Sequence, residues 1–272
     1  MKLSAKEKAS YGLGAVGKDM VYMLSASYIL YYYQDLLGVS SWVMGVILMA
    51  ARIFDAFNDP IMGVVVAKTQ TKWGKFRPWL LIGTVLNAIV LFFMFAVPKS
   101  VTGGGLVAYA AILYITWGIT YTMMDIPFWS MIPAFTEGGK ERENLSTLAR
   151  SCAGVGSAII TVITMLCVPK LGEIGNADKA ALVAAGNAEG AADSVKLAGI
   201  EAGRIIERSG FKWFALIIAI LFVVFITVTC ICIKEKSTVN MQSPTVGQMF
   251  KALFLNDQAV TVVITIVLIN CS

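Results

Sequence analysis

Six runs of this chain, at about 10–33, 41–67, 78–97, 105–133, 145–169 and 211–233, read as long and apolar enough to cross a bilayer as helices. That feature restricts the fold severely. In hydrocarbon every backbone N–H and C=O has to be bonded within the chain, and runs of this length satisfy that as helices. Composition agrees: 57% of the 272 residues are hydrophobic and 14% charged, with mean hydropathy +0.74, whereas soluble domains average about a quarter charged. A soluble fold would have to bury six long helices that are apolar all round, which a core of this size cannot do. The expected class is an all-α membrane protein, multi-pass in the cell membrane, with the lipid bilayer as its solvent.

A six-helix bundle is expected over 1–233, a cytoplasmic linker over 234–256 and the start of a seventh helix over 257–272. The seventh apolar run begins near Ala259 and reaches only about 14 residues, too few to span. Six helices and a stub read as the first half of a twelve-helix transporter that lacks its C-terminal six-helix half. Basic residues gather in alternate connections: Lys2, Lys6 and Lys8; Lys68, Lys72, Lys75 and Arg77; Lys140 and Arg142; Lys234 and Lys236. Residues 34–41, a tight outer turn, hold none. By the positive-inside rule the N-terminus is cytoplasmic. The net charge of +5 is thus a topology signal, and nucleic acid is not expected as a partner. The 170–210 segment, rich in Ala and Gly, is expected outside, with a short amphipathic helix around 178–208.

Several chemistries are excluded. With no histidine there is no HExxH zinc site and no Ser-His-Asp triad. Cys152, Cys167, Cys230, Cys232 and Cys271 all lie in apolar runs, which argues against a disulfide framework. No signal-peptide pattern opens the chain. The glycines of Tyr11-Gly12-Leu13-Gly14-Ala15-Val16-Gly17 lack the preceding strand and the GK[ST] ending of a phosphate loop. They read, like Gly154 and Gly156, as close helix packing. No cofactor is expected beyond a transported ion.

Charges in mid-span stand out against this background, since each costs about 2.5–3.5 kcal/mol at the bilayer centre even on conservative scales. The second run carries Arg52, Asp55, Asn58, Asp59 and Pro60. Asp55 and Asp59 are one turn apart and share a face, flanked by Asn58. Pro60 leaves the Ala56 carbonyl without its usual partner. Carboxylate, carboxamide and freed carbonyl are hard oxygen ligands suited to Na⁺, Li⁺ or H₃O⁺, with Asp55 and Asp59 the candidate metal ligands. The competing reading is an Arg52–Asp55 pair that only stabilises packing, but one Arg cannot neutralise two acids in a low dielectric.

In the fourth run Thr122, Asp125 and Trp129 form one stripe, with Tyr121 one turn before Asp125. A carboxylate beside an indole suits a sugar: the acid accepts from hydroxyls and the ring covers the C–H face. The competing reading for Tyr121 and Trp129 is an interfacial aromatic belt. Pro127 is expected to kink this helix. In the first run Lys18 and Asp19 point about 100° apart, so each is expected to face a different partner, Lys18 balancing one of Asp19, Asp55 or Asp125. Arg150, early in the fifth run, can snorkel to the headgroups. An aspartyl-protease dyad is disfavoured because Asp55 and Asp59 share one helix face, and the chain is not expected to be an enzyme.

Four stretches carry a resemblance. Tyr-Gly-Leu-Gly-Ala-Val-Gly-Lys-Asp (11–19), Ala-Arg-Ile-Phe-Asp-Ala-Phe-Asn-Asp-Pro-Ile-Met-Gly (51–63), Lys-Trp-Gly-Lys-Phe-Arg-Pro-Trp (72–79) and Trp-Gly-Ile-Thr-Tyr-Thr-Met-Met-Asp-Ile-Pro-Phe-Trp-Ser (117–130) resemble melibiose permease-like glycoside–pentoside–hexuronide:cation symporters of the major facilitator superfamily. The resemblance implies a coupling-cation site at Asp55, Asn58, Asp59 and Thr122. It implies sugar contacts at Lys18, Asp19, Tyr121, Asp125, Trp129 and Arg150. The implied function is symport of a sugar with Na⁺, Li⁺ or H⁺ by alternating access; a same-fold transporter of an anionic or lipid-like solute is the other reading. The 170–210 segment is longer than in the melibiose-type members, and the 68–77 loop lacks the superfamily's Asp-Arg core.

Overall fold

The computed structural model describes residues 3–136, 139–233 and 235, with a few isolated positions after 246. The elements are α1 (Ala5–Tyr31), a π-helical turn (Tyr32–Leu36), α2 (Ser41–Lys68), α3 (Arg77–Phe95), α4 (Gly104–Ser130), α5 (Ile132–Phe135), α6 (Lys140–Glu173), α7 (Ala177–Gly186) and α8 (Asp193–Cys232). Local chemistry sets several boundaries. Ser4 and Glu7 form a capping box at the start of α1. Gly38, at φ 74°, turns the chain between the π-helical turn and α2. Pro78 stands in the first turn of α3, where its missing N–H costs nothing.

Among the described residues, five stretches are long and apolar enough to cross a membrane: α2, α3, α4 continued through α5, α6 and α8. The first of the six expected runs is helical as well, as α1. At 27 residues, α1 is about 40 Å long, and it buries Ser10, Lys18 and Ser25. Its neighbours shield it, for it packs chiefly on α6 and α8. Two boundaries also move. α6 starts at Lys140 rather than near 145, with Glu141 and Glu143 in its first turn, where acids favour a helix N-terminus. The amphipathic helix expected around 178–208 is instead α7 plus the N-terminal part of α8, which runs on into the sixth span because no proline interrupts 193–232.

Glycines bring the helices together. A Cβ on Gly156 would lie 2.5 Å from the Val16 carbonyl oxygen, and one on Gly83 2.8 Å from the Met124 nitrogen. Gly172 and Gly210 meet the carbonyls of Ile206 and Val168 across the α6–α8 contact. Small residues do this work in lipid, where helices gain little from hydrophobic burial against each other. Gly154 is the exception among the glycines expected to pack, since a Cβ there meets nothing within 4 Å. At the end where α1 begins, the Glu235 carboxylate accepts the backbone N–H groups of Lys75, Phe76 and Arg77 at 2.7, 3.0 and 3.1 Å. It caps α3 as a bound anion would. Apart from Glu235 and isolated positions after 246, the expected linker over 234–256 and seventh helix over 257–272 lie outside the described residues.

The site is positioned by one gap in this packing. α1 and α4 meet through large side chains rather than through close backbone approach. Tyr11 stacks on Phe128 at 4.5 Å and donates its hydroxyl to the Phe128 carbonyl at 2.6 Å. Tyr22 leans on Trp117 and Tyr121 at 6.2 and 5.5 Å. Lys18 lies between these two props.

Candidate functional site

Lys18 is the centre of the first cluster. Its side chain is 5% exposed, and Nζ lies 2.7 Å from Asp125 Oδ1 and 3.1 Å from Asp19 Oδ1. It also donates to the Tyr121 hydroxyl at 3.1 Å. The expectation that Lys18 and Asp19 would face different partners is therefore corrected. Their Cβ directions diverge, but the four-carbon lysine stem curls back, and a buried ammonium is held best by every carboxylate within reach. Of the three acids named as partners for Lys18, Asp19 and Asp125 fill the role and Asp55 does not.

The remaining members close around this pair. Trp129 Nε1 donates to Asp125 Oδ1 at 3.2 Å, which fixes the indole plane beside the acid. The Arg150 guanidinium lies 4.7 Å from the Trp129 ring centroid, within cation–π range. Arg150 sits on the eleventh residue of α6, and its contact is this ring rather than a helix-end position. Ser157 Oγ donates to Asp19 Oδ2 at 3.2 Å. Asp19 and Asp125 stay 21% and 29% exposed, and no described residue bonds Asp125 Oδ2. Both acids thus keep exposed lone pairs.

The second cluster lies where α2 crosses α4. Thr122 Oγ1 donates to Asp59 Oδ1 at 2.9 Å. Asp55 rests against Gly118, where an added Cβ would come within 2.8 Å of Oδ1, and it pairs with Arg52 at 3.6 Å. Asn58 is half-buried, and its Nδ2 has no hydrogen-bond partner among the described residues. Turning the amide over would put its oxygen in that place. No group of three or more His, Cys, Asp or Glu gathers as a metal centre among the described residues. Asp55 and Asp59 bring two carboxylates to the crossing, Thr122 adds a hydroxyl oxygen, and Asn58 lies between the two acids on α2.

One helix joins the two clusters. Gly118, Thr122, Asp125 and Trp129 follow each other along a single face of α4. That face meets Asp55 and Asp59 from α2, Lys18 from α1 and Arg150 from α6. All ten residues singled out for the site fall at these two clusters. Pro127 lies three residues before the end of α4, which runs through it to Ser130. Gly118 and Ser157 were not singled out by the sequence. A glycine and a serine in apolar helices are ordinary, and only the contacts across helices reveal them.

The family model for "MFS/sugar transport protein" matches residues 10–271. The chain belongs to this family. Among relatives of the MFS/sugar transport chain, an uncharacterized symporter of Bacillus subtilis (YjmB) is 36% identical over 167 residues, covering 61% of this chain and 36% of its own length. A putative glycoside/cation symporter of Escherichia coli (YagG) is 33% identical over 172 residues, covering 63% and 37%. A lactose permease of Lactobacillus helveticus is 28% identical over 276 residues, covering 94% and 39%. The family member described here thus spans less than two fifths of the length of these relatives.

Proposed function

We propose that this chain carries the ion site and much of the sugar site of a sugar:cation symporter working by alternating access. Lys18, Asp19, Tyr121, Asp125, Trp129 and Arg150 hold the sugar. Asp55, Asn58, Asp59 and Thr122 hold Na⁺, Li⁺ or a proton. The N-terminus is cytoplasmic, which puts the basic 68–77 loop and Glu235 on the same side.

The charge balance of the two clusters carries the reading. In the first, Lys18 pairs with both acids, Asp19 and Asp125, and the Arg150 guanidinium stands over the Trp129 ring beside them. The formal sum is zero, so a neutral polyol can enter without leaving an unpaired charge in the membrane. In the second, Arg52 pairs with Asp55 at 3.6 Å, and Asp59 takes only the neutral Thr122 hydroxyl among the described residues. That excess of one negative charge is what a monovalent cation corrects. An anionic solute would unbalance the first cluster, which favours the sugar over the other reading. The relatives described as a glycoside/cation symporter and a lactose permease support the same assignment.

The test is uptake of labelled galactosides, xylosides and glucuronides into cells expressing the complete gene, with and without Na⁺ and across a pH step. Accumulation of at least one of these glycosides driven by Na⁺ or by the proton gradient is expected. Ion-independent uptake, or uptake of none of the three, would overturn the proposal.

A further inference from the structure

We infer that Ser157 is a positioning residue for sugar recognition, acting through Asp19; the inference rests on the sugar reading of the first cluster. Asp19 is held at both oxygens. Lys18 Nζ takes Oδ1 at 3.1 Å, and the Ser157 hydroxyl donates to Oδ2 at 3.2 Å from the far side, on α6. A carboxylate fixed at one oxygen only can still rotate about its χ2 bond, which has a broad torsional preference. The second bond removes that rotation and sets which lone pairs face the cavity.

The backbone is built for this reach. The residue before Ser157 is Gly156, buried with its Cα against the Val16 carbonyl so closely that a Cβ would lie 2.5 Å from that oxygen. With any larger residue at 156, α6 would stand off from α1 and carry the Ser157 hydroxyl away from Asp19. Ser157 can instead bond the carbonyl one turn back, as Thr161 and Thr164 do on the same helix at 2.9 and 2.7 Å. Its hydroxyl crosses the interface to Asp19.

Direct hydrogen bonds between membrane helices are modest, so the expected effect is in affinity and not in folding. In the complete transporter, Ser157→Ala raises the KM of whichever labelled galactoside, xyloside or glucuronide the wild type accumulates by about 3- to 10-fold. Measured at saturating sugar, the Na⁺ concentration for half-maximal activation stays as in the wild type. Ser157→Thr, which keeps a hydroxyl, restores KM to within about 2-fold. An unchanged KM in Ser157→Ala, or a Na⁺ activation constant that shifts along with KM, would overturn the inference. Where the wild type takes up none of the three sugars, the sugar reading fails first and this inference with it.

Discussion

At the scale of single residues, the site is a set of charges whose neighbours settle what each one does. Asp125 is the most constrained, for it takes both Lys18 and the Trp129 N–H on one oxygen. Removing it leaves a buried ammonium with Asp19 as its sole carboxylate. Breaking one side of such a pair costs about 3–5 kcal/mol. Asp125→Ala should therefore abolish sugar binding and lower the thermal midpoint in detergent. Normal sugar affinity by isothermal titration would remove Asp125 from the site. Gly118 is constrained by space instead. A methyl there meets the Asp55 carboxylate at 2.8 Å, inside any real Cβ contact. Gly118→Ala should raise the Na⁺ requirement about 10-fold, the factor of a 1.4 kcal/mol displacement, while sugar binding at saturating Na⁺ changes little. An unaltered Na⁺ activation curve would show that Asp55 has no part in the ion site.

At the scale of helices, close glycine contacts set the packing and polar side chains on α4 join the two clusters. The two kinds of glycine give opposite predictions. Gly210 lies against the Val168 carbonyl, so Gly210→Ala should force α8 off α6 and cost about 1–3 kcal/mol, as overpacking does. Gly154 has open space around it, so Gly154→Ala should be neutral or stabilise by about 0.5–1 kcal/mol through helix propensity. A thermal scan of both variants side by side checks the pair, and equal midpoints would contradict the packing described.

The same scale explains how far the sequence could be read. Mid-helix charges and apolar run lengths are local signals, so α2, α3 and α4 were legible to within a few residues, as were Asp55, Asp59 and Asp125. The start of α8 was not, because its outer turns are stabilised by α7 across the Gly186–Gly199 contact, a Cβ distance of 3.2 Å. The Lys18–Asp19 pair was misjudged because helix geometry fixes Cβ directions and not where a long side chain ends. Ser157 gave no signal at all, since its partner is 138 positions away in sequence.

For the whole molecule, the function proposed above implies coupling between two sites that share α4. α2 packs mainly on α4, and α4 also carries Asp125. An ion that draws Asp55 and Asp59 together also fixes the Thr122 end of the α4 face, seven residues from Trp129. Any such coupling is reciprocal: the factor by which Na⁺ tightens sugar binding equals the factor by which sugar tightens Na⁺ binding. The most direct measurement is sugar binding and uptake with and without Na⁺ in the complete transporter and in its Asp59→Cys variant. The account predicts that Na⁺ stimulates the wild type, and that the variant loses this stimulation while retaining part of its sugar binding. Sodium-driven accumulation that persists unchanged in Asp59→Cys would contradict it.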